Sequence, residues 1–259
     1  MLKRIVHFIR QHDWFAVIVE VLVVAIGLLL AFQLDRWREE RQERLQERVY
    51  VERLTVDVTT DIPAIEHAIQ LQTLRLGLID LLIDVARDPM AAAEDPVLFI
   101  GAISQSAYTY TPTLTSHTFE NLRATGDLQL LLSQDVKDSL FSYYGYDESQ
   151  WQYRPLQFST EFRHFELSAG ILTMEQEIYM QDNWLFIRPD NIAEARKARP
   201  DVSEVIAAAE RLQNRPELVA WLPTVRSMQL EQIAVHEDRK RLAQHALDTL
   251  QNYASEIAD

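Results

Sequence analysis

WFAVIVEVLVVAIGLLLAFQL, residues 14–34, is a nearly unbroken apolar run followed at once by the charged sequence DRWREERQER. Crossing about 30 Å of hydrocarbon takes about 20 helical residues. The run supplies 21, with Glu20 as its only formal charge, and 14 of them are Leu, Ile, Val or Phe. Each of these gains about 0.3–0.6 kcal/mol on insertion, against about 3 kcal/mol lost on the acidic residue, so the balance favours a transmembrane helix. The run exceeds the roughly 7–15 apolar residues of a signal peptide, and no small-x-small cleavage site precedes DRWREE, so it reads as an uncleaved anchor. Trp14 and Phe15 at one end and Trp37 at the other fall where interfacial aromatic residues hold a span in place.

At helical period Ala16, Glu20, Val23, Gly27 and Ala31 share one stripe, and Gly27-x-x-x-Ala31 has the small-xxx-small spacing that lets two helix backbones approach. The stripe is therefore a candidate contact face within the membrane. Glu20 on it either faces a partner or water, or lies near enough to an interface to snorkel or be protonated. The partners expected are the lipid bilayer and either a second copy of the chain or another membrane protein.

Two signals of orientation oppose each other. The leader, residues 1–13, carries Lys3, Arg4 and Arg10, whereas the far flank has Arg36, Arg38, Arg41, Arg44 and Arg48, so a strict count of basic residues puts the large domain inside. A short basic leader before a long domain is the usual signal-anchor pattern, and it puts the large domain outside. We adopt the second, which places the chain in the inner (cytoplasmic) membrane as a single-pass protein with a periplasmic or extracellular C-terminal domain.

Positions 1–34 hold three basic and two acidic residues, so the remainder carries 22 basic against 37 acidic, a net charge of −15. Such a surface repels nucleic acid. The chain has no cysteine, which removes disulfides, thiolate metal sites and cysteine nucleophiles. Only 6 Gly and 9 Pro punctuate it, and no phosphate-binding loop is present. The expected fold is all-α, with a transmembrane helix (14–34) continuing into a charged helical stalk (35–62) and an acidic helical bundle (63–259).

Within the bundle, Asp61 before Pro63 reads as the cap of a restarting helix that ends near RDPMAAAEDP. A short helix over 97–104 leads into AYTYTPTLTSH, where Pro112 forbids helix. Ser116 or Thr118 caps the next helix, Gly126 suits a left-handed stop, and Ser133 with Asp135 opens another. Periodicity predicts one helix from Trp151 to about Tyr179. Further helices open at Pro200 with Asp201 or Ser203 and at Pro216, with Pro223 kinking or interrupting the last before a long helix ending by Glu256.

No catalytic signature emerges. Glu161-x-x-His164 places two potential metal ligands on one helical face, but a di-iron carboxylate site needs a second such pair and two further Glu, and neither His236 nor His245 has a Glu three residues before it. No cofactor is implied. The tyrosines 108, 110, 143, 144, 146 and 153 with Trp151 are of a kind favoured in binding surfaces, but since half of them fall in expected helices they read as packing residues whose phenols reach water.

Two stretches resemble an uncharacterised family of bacterial single-pass membrane proteins, a domain of unknown function. They are Glu20-x-Leu22-Val23-Val24-x-Ile26-Gly27-x-Leu29-x-Ala31-x-Gln33-x-x-x-Trp37-x-Glu39-Glu40-Arg41, and Phe119-Glu120-Asn121-Leu122-x-x-x-Gly126-Asp127-Leu128 leading to Tyr143-Tyr144. The resemblance implies that Glu20, Gly27, Gln33 and Trp37 belong to a recurring anchor pattern, from which Asp35-Arg36, standing where paired Asn is expected, departs. It implies no activity or cofactor. The function expected is a membrane-anchored interaction or scaffold protein. The alternatives are an extracytoplasmic ligand-sensing domain acting through a partner subunit and, behind it, a metal-dependent enzyme.

Overall fold

A single helix, α1, runs from Trp14 to Arg87 and carries the apolar segment straight into the core of the bundle. The computed structural model describes residues 14–258; the leader lies outside the described residues, as do the side chains of residues 14–17, including Trp14 and Ala16. All regular elements among the described residues are helices: α2 (Pro96–Gln105), α3 (His117–Thr125), α4 (Gln134–Gln150), α5 (Arg154–Ser168), α6 (Met174–Asn183), α7 (Ile192–Ala195), α8 (Val202–Gln213) and α9 (Pro216–Ala258), with short 3₁₀ turns between some of them.

α1 and α9 form the antiparallel spine. Tyr253 donates its phenol to Glu47, Lys240 pairs with Glu66 at 2.9 Å, and Arg226 with Asp80 at 2.6 Å, so α9 runs back toward the anchor as α1 leaves it. Two apolar cores are strung along this pair. The one nearer the anchor joins Val51, Leu54, Val58 and Ile65 to Phe119, Leu122, Leu140, Tyr143 and Leu250; the farther one joins Leu78, Leu82 and Val85 to Phe99, Ile100, Ile171, Val205, Leu222 and Val225.

Both internal prolines lie within continuous helices. Pro63 does not restart α1, and Pro223 does not interrupt α9. Each faces solvent, where the carbonyl deprived of its amide can be hydrated, while the neighbouring pairs Val58/Ile65 and Leu222/Val225 are fully buried. Core packing on the opposite face outweighs the roughly 3 kcal/mol that an interior proline costs. Asp61 is accordingly not a cap: it is buried mid-helix. The solvated stretch of α1 is also shorter than 35–62, because burial begins at Glu47.

Local signals succeed where they act locally. Gly126 adopts φ 81° at the end of α3, Ser133 caps α4 by accepting from the Val136 amide, and Asp201 caps α8 through the amides of Ser203 and Glu204. Ser116 holds the cap position of α3 without a side-chain bond. The helix expected from Trp151 to Tyr179 divides at Gly170, whose φ is 75°, and restarts at a capping box formed by Thr173 and Gln176, a T-x-x-Q pattern that was readable in the sequence.

Candidate interaction surfaces and the buried polar belt

Residues 106–116 thread an irregular strand of chain between the two cores. Alternating Thr with Tyr and Leu, plus Pro112, favours extended backbone, and an extended segment among helices has no backbone ladder to satisfy it. Side chains serve instead. Gln229 Nε2 donates to the carbonyls of Ser106 (2.8 Å) and Tyr108 (3.0 Å), and Glu161 Oε1 accepts from the Thr109 amide. Asp61 Oδ1 accepts from the Thr115 amide at 2.8 Å, and the Tyr144 phenol donates to the Thr115 carbonyl at 3.1 Å. His236 Nε2 sits 2.9 Å from the Tyr110 carbonyl and its Nδ1 sits 2.7 Å from Arg239 Nη1, a pair of contacts that the neutral, Nε2-protonated tautomer satisfies. These groups, with buried Gln72 and Gln232, make a polar belt between the cores.

The belt absorbs the metal candidates. Glu161 also takes the Thr109 hydroxyl, and His164 Nε2 lies 3.1 Å from the Ile103 carbonyl and 3.4 Å from the Ser106 hydroxyl. Burial raises the Glu161 carboxyl, opposed by the Thr109 bonds and the Arg75 charge, and burial lowers the His164 imidazole. Arg75 is itself lowered by burial to about 10, which leaves it charged at neutral pH. Among the described residues no group of three or more His, Cys, Asp or Glu is placed to hold a metal ion. Glu161 and His164 share the inner face of α5, as their spacing predicts, but Glu161 is taken up by the Thr109 amide and hydroxyl of the threaded segment, and His164 by the Ile103 carbonyl of α2 and the Ser106 hydroxyl.

The tyrosines divide. Tyr143 and Tyr144 are buried, and the Tyr143 phenol donates to Asp61 Oδ2 at 2.8 Å rather than reaching water. Burial and then the Asp61 charge push the Tyr143 phenol well above its usual range, burial does the same for Tyr144, and burial with the Glu47 bond raises Tyr253 to about 12. A raised folded pKa binds the proton more tightly in the native state, so the stabilisation is complete below the unfolded value of about 10 and is lost as pH climbs through the folded one. Alkaline destabilisation, followed by urea denaturation at rising pH, is expected to set in above about pH 10 and progress through about pH 12, with Tyr143→Phe less stable at neutral pH and losing stability less steeply as the pH rises.

Trp151 and Tyr153 are exposed, and they begin an aromatic face. On α5 the side turned from the bundle carries Pro155, Phe158 and Phe162, the last 71 % exposed. Phe165 continues the ridge and meets Tyr108 in a tilted ring contact at 5.2 Å, and Tyr108 meets Phe186 edge-on at 6.0 Å. A solvated helix does not ordinarily turn this much aromatic surface outward, and contiguous patches of the kind mark interaction sites. Arg75, whose charge acts on Glu161 beneath this face, lies about 60 Å along α1 from Leu34 at about 1.5 Å per residue.

Next to the ridge, residues 184–187 are pinned from below. Gln105 donates to the Leu185 carbonyl at 2.9 Å and accepts from the Ile187 amide at 2.8 Å, while Leu185 holds φ 42°. Ile187 reaches over Gly101, where any Cβ would clash with its Cδ1. Gln105→Ala leaves the buried Ile187 amide unsatisfied and frees the half-exposed Leu185 carbonyl, and is expected to cost about 1–3 kcal/mol, read as a lower melting temperature together with faster proteolysis at 184–190.

On the anchor, every described side chain from Ile18 to Leu34 is exposed, and nothing lies within 4 Å of the position a Gly27 Cβ would take. Glu20, Val23, Gly27 and Ala31 are thus uncovered within one chain, and Trp37, also exposed, carries the Arg41 guanidinium 5.5 Å from its ring centroid. The segment is long and apolar enough to cross a membrane.

No protein-family model, curated protein or solved structure matches this chain.

Proposed function

We propose that the chain is a single-pass, membrane-anchored helical interaction protein, held in the inner membrane by residues 14–34 with its acidic bundle on the periplasmic or extracellular side. The observation that carries the reading is the continuity of α1: one helix is both the uncovered apolar segment and a wall of both bundle cores. Displacement of the anchor by a neighbour in the bilayer is therefore passed to the bundle without an intervening hinge. The aromatic face of α5 supports a second contact, with a protein, because it stands too far along α1 to reach the anchoring bilayer. The Gly27 stripe is proposed as the in-membrane contact, with Glu20 facing the partner, and the two quoted stretches as marks of a shared anchor family.

A reporter active only outside the cytoplasm, fused after Asp259, is expected to be active. Gly27→Leu is expected to weaken self-association in membranes, since its side chain would hold the backbones apart. An inactive reporter overturns the orientation, and unchanged association of the variant overturns the stripe.

A further inference from the structure

At the end of the bundle far from the anchor, α2, α6 and the segment leading into α8 enclose a cleft of about 530 Å³, a size typical of small-molecule sites. Its apolar side is formed by Tyr179 and Pro200, with Ile100 buried at the base. The walls are locked to one another. Gln176 donates from Nε2 to the Glu204 carbonyl at 3.0 Å and accepts from the Arg211 guanidinium at 3.2 Å, which ties α6 to α8. Tyr179 is braced edge-on by Trp184 at 5.8 Å, and its phenol oxygen accepts from the Arg199 amide at 3.1 Å. A cleft held in this way needs little rearrangement to take a ligand.

Charge defines the other side. Glu175, Asp201 and Glu204 stand at the rim, and Arg199 is the one basic residue among the lining groups. Among the described residues none of these four forms an ion pair, and the neighbouring cations are taken: Arg196 by Asp95 at 2.8 Å, Lys197 by Glu194, and Arg211 also by the Ile171 carbonyl at 2.7 Å. Hydrogen bonds from Ser203 and from the Glu204 amide hold the Asp201 carboxyl below its usual range, so it is charged at neutral pH. Acids in a first helical turn are favoured on their own account. Here, however, Thr173 and Asp201 already cap α6 and α8, which leaves the carboxylates of Glu175 and Glu204 to the cleft.

We infer that this cleft binds a small organic cation, an amine whose apolar body lies against Tyr179 and Pro200 while its ammonium group meets the rim carboxylates. Three carboxylates against one guanidinium favour that charge over an apolar carboxylate of the same shape. A cation near the Tyr179 ring is also attracted by its π face. The site is separate from the anchor and from the aromatic face of α5, and it does not depend on the function proposed for either.

Two probes of similar shape and opposite charge test the inference: 2-phenylethylamine and 3-phenylpropionate, titrated calorimetrically into the full-length protein in nanodiscs of zwitterionic lipid, with empty discs as the blank. The amine is expected to bind at least about tenfold more tightly than the carboxylate, and to weaken as salt rises from about 50 to about 500 mM. Combining Glu175→Gln with Glu204→Gln is expected to weaken amine binding by about fivefold or more, whereas Arg199→Gln should bind it no less tightly. All three side chains are exposed, so folding is not at stake. Equal binding of the two probes overturns the charge assignment and the inference with it. Amine binding that the double variant leaves unchanged places the ligand elsewhere and overturns it as well, as does no binding of the amine up to about 10 mM.

Discussion

Asp61→Ala is expected to destabilise the bundle by about 2–5 kcal/mol and to lower its melting temperature by roughly 5–15 °C. The carboxylate is buried in the middle of α1, and its two oxygens divide their work between two elements: Oδ1 holds the Thr115 amide of the threaded segment and Oδ2 the Tyr143 phenol of α4. Removing it strands a buried donor, the Tyr143 phenol, and a partly buried one, the Thr115 amide, and a buried donor left unpaired costs about 1–3 kcal/mol. Tyr143→Phe removes only one of these bonds and is expected to cost less. In a double-mutant cycle the two changes together should fall short of the sum of the single losses by about 1 kcal/mol or more, since they share one bond. Thermal and urea denaturation of the four proteins measures this, and a loss below about 1 kcal/mol for Asp61→Ala would remove the carboxylate from its place as the pin between α1, α4 and the threaded segment.

Deleting residues 1–34 is expected to move the protein from the membrane pellet to the soluble fraction while shifting its melting temperature by no more than about 2 °C. The two halves of this expectation have separate causes. The 14 large apolar residues of the segment contribute about 4–8 kcal/mol to insertion, more than Glu20 costs, so the full chain should resist alkaline extraction. In the fold, however, every described side chain from Ile18 to Gln46 is exposed, and burial starts only at Glu47. Among the described residues, the deletion therefore removes no core contact. Retention of residues 35–259 on membranes after a salt and alkaline wash would show that another surface binds lipid, and the exposed faces of α1 and α5 would be the first to examine by substitution.

The all-helical class, the apolar segment and several helix ends were legible because each depends on few neighbours in sequence. Composition and length identify Trp14–Leu34, and a single residue suffices at Gly126, Ser133 and Asp201, where one positive φ or one capping oxygen decides the local free energy. Even the break at Gly170 and the capping box at Thr173 were written locally, although the helical period running across them masked both. The tandem glutamate and histidine on α5 were likewise rightly placed on one face. What their side chains meet was not legible, because the partners, Thr109, Ile103 and Ser106, lie more than fifty residues away in the chain.

By itself, then, the sequence determined the helical class, the apolar segment, its stripe of small residues and the acidic character of the remaining chain. The tertiary structure decided which helices stay whole and which polar residues go inside. Pro63 and Pro223 carry the local signal to break, and they are overruled because buried neighbours on the opposite face reward continuity by more than a missing hydrogen bond costs. Asp61 and Glu47 carry the local signal of a cap and a solvated charge, yet they are drawn into the core because backbone amides at Thr115 and Leu132, which have no ladder of their own, need an acceptor there.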